Sequence, residues 1–326
     1  MGGLRAHVGS GVTERVAALF PGQGSQAVGM AQELYSTSPA AKRVLDEAEA
    51  ALPGLLTLMW EGPADGLQLT ANQQPALVAA GAAAYAAYRE AGGQEASFAA
   101  GHSLGEYTAL VAAGCLSVGA AVQLVRKRGE YMQAAVPPGA GAMAAVLKLE
   151  ESAIRKVLAE LEPGEVVAVA NLNAPGQTVV SGSAAGVEHA AAALKERGAR
   201  VIPLKVSAPF HSPLMRPAAE RLAEDLAAEA FAEPAFVIVC NVTAEPLPNA
   251  ASAARLLTEQ VTAPVRWVEC VEQLSALGAT RYVEFGSGKV LTALLDRILP
   301  GAKGVAVTDS VSLAAAVAPT SEEEPR

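Results

Sequence analysis

Cysteine is scarce in this chain of 326 residues: Cys115, Cys240 and Cys270 are far apart, odd in number and without a C-x-x-C pair. That excludes a disulfide framework and a thiolate zinc site, and the three read as small buried fillers. Aromatic residues make up 4%, so a core must be built mostly from the Ala, Val and Leu within the 51% hydrophobic content. Positive charge is also short. Lys and Arg number 24 against 33 Asp and Glu, and no basic tract stands out, which argues against nucleic acid or an anionic membrane as the main partner. Long apolar runs are missing as well. The most apolar stretch, Pro75 to Tyr88, is too short to span a bilayer and predicts a buried helix. Met1-Gly2-Gly3-Leu4-Arg5-Ala6-His7 lacks the apolar block of a signal peptide, so the cytoplasm is the expected location. Asn241-Val242-Thr243 fits a glycosylation acceptor and, without a secretory route, is set aside.

What is present is an alternation of strands and helices, the pattern of an α/β fold with a largely parallel sheet. Val16-Ala17-Ala18-Leu19-Phe20 is the first strand, followed by Pro21-Gly22-Gln23-Gly24-Ser25-Gln26. This glycine-rich loop is not a dinucleotide site, because Ala40 to Leu52 reads as a charged helix where that fold needs a second strand ending in an acid. Gly286-Ser287-Gly288-Lys289 likewise lacks the earlier glycine of a phosphate loop.

From about Ala142 the rhythm changes. Strands are predicted at Met143–Leu149, Val166–Ala170, Gln177–Ser181 and Val201–Val206, with helices at Glu151–Leu161 and Ala184–Arg197. This β-α-β-β-α-β order is ferredoxin-like. The expected division is a large α/β-hydrolase-like part from 15–137 and 208–310, a small ferredoxin-like subdomain inserted at 138–207, and mobile tails at 1–14 and 311–326. An insertion leaves a cleft between two bodies, where substrate sites are common.

Gly101-His102-Ser103-Leu104-Gly105 follows the apolar run Ala96–Ala100 and precedes a helical segment from Glu106 to Ala113. It is a G-x-S-x-G elbow, in which a cramped strand-to-helix turn lifts a serine onto a helix N-terminus. A serine nucleophile needs a base, and the chain has four histidines. His7 lies in the expected tail, His189 sits mid-helix among alanines and charges, and His102 adjoins the nucleophile and must point elsewhere. That leaves His211, in the stiff loop Ser207-Ala208-Pro209-Phe210-His211-Ser212-Pro213. On a helix from about Ala120 to Ala134, Arg128 shares its face with Ala121, Leu124, Val125, Tyr131 and Met132. A guanidinium in an apolar stripe requires an anion, either a structural Asp or Glu or a substrate carboxylate held by two parallel hydrogen bonds.

Taken together these segments resemble the malonyl-CoA:acyl carrier protein transacylases and the acyltransferase domains of polyketide synthases. The resemblance runs from Val16 to about Leu299. It is carried by Phe20–Gln26, the elbow with Glu106-Tyr107, Arg128-Gly129, Asn171–Gln177, Pro209-Phe210-His211-Ser212, Gln260 within Glu259–Trp267, and Glu284–Leu291. Ser287 departs from the pattern, since proline is frequent there. By position the resemblance implies that Ser103 is the acylated nucleophile and His211 its base. It implies that the backbone N–H groups of Gln23 and Leu104 form the oxyanion hole, that the Gln260 carbonyl orients His211, and that Arg128 binds the malonyl carboxylate. Phe210 matches the bulky residue of malonyl-selective members. The implied reaction is a ping-pong transfer from malonyl-CoA to the phosphopantetheine thiol of an acyl carrier protein, for fatty-acid synthesis or for a polyketide pathway. It needs no bound cofactor or metal, and the implied protein is a monomer. Lys205, Arg216 and Lys289 are candidates for docking the acidic carrier. The rival readings are a serine thioesterase or esterase, for which a fixed cation beside the nucleophile has no use, and an inactive binding scaffold.

Overall fold

The computed structural model describes residues 14–162 and 164–318. Its strands are β1 (Val16–Phe20), β2 (Ala96–Gly101), β3 (Gly141–Leu147), β4 (Val167–Ala174), β5 (Gln177–Ser183), β6 (Arg200–Pro203), β7 (Val237–Val239), β8 (Arg281–Phe285) and β9 (Gly304–Val307). Five of them form a parallel sheet in the order β7-β2-β1-β8-β9. Its central strand is apolar on both faces, as a sheet covered on both sides requires. Val16, Ala18 and Phe20 enter one core, with the helix Thr70–Glu90, while Ala17 and Leu19 enter the other, with the helices Trp267–Ala276 and Val290–Ile298.

The remaining strands make an antiparallel sheet, β4-β5-β3-β6, interposed in sequence between β2 and β7. With the helices Glu151–Ala159 and Ala184–Glu196 it has the predicted β-α-β-β-α-β order and its own core, centred on Val146, Ile154, Val180 and Leu194. The antiparallel sheet is tied to the large part where the Leu172 N–H donates to the Val265 carbonyl and the Val265 N–H to the Ala170 carbonyl, each at 2.9 Å. This fixes β4 beside the loop that leads into the helix Trp267–Ala276.

The predicted buried helix is longer than its apolar run and extends from Thr70 to Glu90. It packs against the helix Val118–Ala134, whose first turn is capped by the Ser117 hydroxyl. Gly129 makes their close approach possible: a Cβ there would fall 2.6 Å from the Ala71 Cα. The approach brings Arg128 to the head of the long helix.

Two expectations need correction. β6 ends at Pro203, short of the predicted Val206. The C-terminal tail expected from 311 is instead the helix Ser310–Val317, packed beside β9. Asp309 nucleates it, its carboxylate accepting from the Ser312 N–H at 2.8 Å while the Ser312 hydroxyl accepts from the Asp309 N–H at 3.0 Å, and Ala316 is buried. The expected tail at 1–14, Glu14 apart, and residues 319–326 lie outside the described residues. Among the described residues no helix is long and apolar enough to cross a membrane.

Candidate active site

Three neighbouring strands of the parallel sheet send their C-terminal ends to one place, the edge at which such sheets bind ligands. β1 leads into Pro21-Gly22-Gln23, β2 into His102-Ser103, and β7 into Cys240-Asn241. At the elbow a Cβ on Gly101 would lie 1.9 Å from the Gly105 carbonyl carbon, and one on Gly105 would lie 2.1 Å from the Phe20 oxygen. Both glycines are therefore demanded by packing. The strained residue is Ser103 itself, at φ 52°, a left-handed conformation that costs a non-glycine residue about 1–3 kcal/mol. Asn241 holds it there. Its Oδ1 accepts from the Ser103 N–H and its Nδ2 donates to the Gly101 carbonyl, both at 2.7 Å.

Ser103 Oγ lies 2.8 Å from His211 Nε2. His211 Nδ1 lies 2.9 Å from the Gln260 carbonyl and 3.1 Å from that of Ala263. Two carbonyls can only accept, so Nδ1 carries the proton and Nε2 is the free base facing the serine hydroxyl. Burial, reinforced by the Arg128 charge, lowers the imidazole from its ordinary value of 6.5 to about 3. The base is then neutral at physiological pH. Inactivation by a serine-directed fluorophosphonate, which needs this dyad and no substrate carboxylate, is expected to keep a flat rate from pH 8 to about pH 5. An acid limb centred near 6.5 would show an ordinary imidazole. The stability effect has the opposite sense. Below 6.5 the unfolded imidazole takes up a proton that the folded one refuses, so this residue makes the fold less stable as pH falls toward 3.

Arg128 is 2% exposed. Its Nη1 donates to Gln74 Oε1 at 2.7 Å, and its Nη2 to Gln260 Oε1 and to Ser103 Oγ, both at 3.1 Å. Its Nε has no hydrogen-bond partner among the described residues, and the guanidinium carbon stands 5.8 Å from the Tyr107 ring centroid. Among the described residues no carboxylate pairs with it directly, so of the two anions expected from the sequence the structural Asp or Glu is not the one found. The cation is hydrogen-bonded by two amides, with the nearest buried carboxylate that acts on it, Glu106, held behind Gln260, and it touches the nucleophile. Most of its predicted stripe is buried, but Tyr131 is half-exposed and donates to Asp225 at 2.7 Å.

These groups face a cavity of about 340 Å³, whose wall also includes Gln23, His102, Met132, Met143, Asn171 and Phe210. Gly22 packs on the elbow, where a Cβ would fall 2.5 Å from the His102 oxygen, and so keeps Gln23 on the wall of the cavity that Ser103 faces. Neither the Gln23 nor the Leu104 backbone N–H donates a hydrogen bond among the described residues. His102 turns away from Ser103, its Nε2 2.8 Å from Asn173 Oδ1 and its ring against Trp267. His189 is on the surface with Glu165, and His7 is outside the described residues. Of the three candidate docking cations, the exposed Lys205 lines the cavity; Arg216 and Lys289, also exposed, do not.

Three side chains of the site had no role in it by sequence: Gln74, Glu106, which only marked the resemblance, and Asn241, which was set aside as a glycosylation acceptor. Gln73-Gln74 at the head of an apolar helix was a usable signal, because a buried amide needs partners. So was Asn241, the polar residue just beyond an apolar strand. It is fully buried, which also disposes of it as a glycosylation site.

Comparison with known proteins points the same way. The family model described as "Acyl transferase domain" matches residues 18–316. The malonyl CoA-acyl carrier protein transacylase of Bacillus subtilis (strain 168) is 47% identical over 95% of this chain and 98% of that protein. The crystal structure of an acyl-carrier-protein S-malonyltransferase from Burkholderia pseudomallei 1710b superposes with a TM-score of 0.90 at 45% identity, covering 93% of this chain and 99% of that one. The structure of a malonyl-transacylase in complex with its acyl carrier protein from a type II polyketide synthase also gives 0.90, at 41% identity over 93% and 99% of the two chains. With an elbow serine, a neutral histidine and an arginine free of any direct salt bridge among the described residues at one cavity, and with likeness of this extent in sequence and fold, the chain belongs to the acyl transferase family, among the malonyl CoA-acyl carrier protein transacylases.

Proposed function

We propose that this protein moves a malonyl group from malonyl-CoA to the phosphopantetheine thiol of an acyl carrier protein through a malonyl ester on Ser103, supplying units for fatty-acid synthesis. The observation that carries this reading is the Arg128 guanidinium, held by neutral amides 3.1 Å from the nucleophilic oxygen. A buried cation with no carboxylate bonded to it favours an acyl group that brings its own carboxylate.

In the first half-reaction His211 Nε2 takes the Ser103 proton as Oγ attacks the thioester carbonyl. The oxyanion accepts hydrogen bonds from the backbone N–H groups of Gln23 and Leu104, neither of which donates to another group among the described residues. The carbon–sulfur bond then breaks, the proton passes from His211 to the departing sulfur, and coenzyme A leaves as the thiol. In the second half the carrier thiol gives its proton to His211 and attacks the ester. Its carbon–oxygen bond breaks and the proton returns to Ser103 Oγ. The carbonyls of Gln260 and Ala263 keep the imidazole in the tautomer that both halves need, a task given to an aspartate in many serine hydrolases. Phe210 stands on the cavity wall as the group that crowds a branched acyl chain, and Lys205 on its rim suits the anionic donor or carrier.

With radiolabelled malonyl-CoA the label is expected first on the protein, in one equivalent that Ser103 carries, and then on an added fatty-acid carrier protein. Release as free malonate with none on the carrier would identify a hydrolase instead. Faster transfer to a polyketide carrier than to a fatty-acid carrier would move the protein to the second pathway.

A further inference from the structure

Glu106 has no part in the reaction above, yet it is a carboxylate 3% exposed on the first turn of the helix Gly105–Ala112, directly behind the nucleophile. Its Oε2 accepts from Gln260 Nε2 at 2.8 Å and from the Asn241 backbone N–H at 3.0 Å. Gln260 Nε2 also donates to the Ser103 carbonyl at 3.0 Å. A primary amide has two hydrogens, and both are now used. The atom left to face Arg128 is Oε1, which accepts from Nη2 at 3.1 Å. Turned over, the amide would set its NH2 against the guanidinium, two donors with no acceptor between them. Its oxygen would then meet a carboxylate and a carbonyl, three acceptors with no hydrogen. The orientation of Gln260 is thus dictated by what stands behind it, and of the two acceptors there Glu106 is the ionisable one and the stronger.

We propose that Glu106 is a positioning residue: it fixes the Gln260 side-chain amide so that Oε1 holds Arg128 Nη2 where the substrate carboxylate meets it. The inference rests on the malonyl-transfer reading. It separates two jobs of Gln260, whose backbone carbonyl serves His211 while its side chain serves Arg128 under the control of Glu106. It also predicts that losing Glu106 damages the use of malonyl-CoA without damaging the Ser103–His211 pair.

The test compares Glu106→Gln, which keeps an acceptor oxygen, with Glu106→Leu, which removes it. Assays run at pH 8, above the value of about 7 to which burial raises this carboxyl. For Glu106→Leu, the KM for malonyl-CoA is expected to rise roughly tenfold or more while fluorophosphonate labelling of Ser103 stays within about threefold of the parent. Glu106→Gln is expected to restore malonyl use to within about threefold of the parent. Should Glu106→Leu not fold, Glu106→Ala, which also removes the acceptor, serves in its place with the same expected split between malonyl use and labelling. Added to Gln260→Met, which removes the amide that Glu106 holds, the loss of Glu106 should raise the KM for malonyl-CoA no further, because the two act as one unit. An unchanged KM in Glu106→Leu, an equal loss of fluorophosphonate labelling, or a Glu106→Gln variant as impaired as Glu106→Leu each overturns the proposal. Failure of the parent itself to be acylated by malonyl-CoA would instead overturn the function on which it rests.

Discussion

Ser103→Ala is expected to fold, to bind malonyl-CoA, and to take up no malonyl group on the protein, with transfer to the carrier reduced by about 10⁴- to 10⁶-fold. Oγ is the one atom of the elbow that can form the ester, and the groups around it are placed for a hydroxyl. His211 Nε2 at 2.8 Å has no other proton to take. The fold should tolerate the change. Arg128 Nη2 loses one acceptor but keeps Gln260 Oε1 at 3.1 Å, and the left-handed backbone at 103 is held by Asn241 through main-chain atoms that alanine retains. A melting temperature close to that of the parent would therefore separate loss of the nucleophile from loss of the site. Intact-mass analysis after a short incubation with malonyl-CoA reads the covalent step directly. Addition of one malonyl group to the Ser103→Ala protein would place the ester elsewhere and remove the basis of the mechanism.

How much of this was legible in the sequence follows the distance over which each signal acts. The elbow was legible because its constraint is local. Two glycines four positions apart, between an apolar strand and a helix, state the turn, and the atoms they must avoid belong to the turn itself and to the end of β1. Arg128 was legible because helical periodicity places one arginine in an apolar stripe. The small subdomain was legible because the order of its strands and helices along one stretch of chain is itself the signal, although only β4 and β5 pair as a local hairpin. The polar frame was not. Gln74 and Gln260 reach Arg128 from 54 and 132 positions away, and Asn241 reaches the elbow from 138. No window along the chain contains such a partnership, and each of these residues alone reads as an ordinary polar side chain. The C-terminal helix is a different case. Its start signal, Asp309 followed by Ser312, was local and was overlooked because the polar end of the chain dominated the reading.

The second large effect concerns the arginine. Arg128→Ala is expected to lower kcat/KM for malonyl-CoA by about 10²- to 10³-fold, the cost of a buried carboxylate left without its partner. Reaction with acetyl-CoA should change by less than about tenfold, because an acetyl group offers nothing for the guanidinium to bind. The asymmetry follows from how the cation is held. Gln74 and Gln260 satisfy two of its nitrogens while Glu106 acts on it only from behind Gln260, so the guanidinium has no bonded carboxylate to give up before it meets an incoming one. A direct salt bridge in the free protein would have to be broken first, and none is present among the described residues. Arg128→Lys should fall between the two, since a single ammonium can keep the charge but cannot span Gln74, Gln260 and a carboxylate at once. Measuring both donors on all three proteins turns the argument into a ratio. An alanine variant that loses malonyl-CoA and acetyl-CoA to the same extent would make Arg128 a structural support of the elbow, and the preference for a carboxylated acyl group would then need another origin.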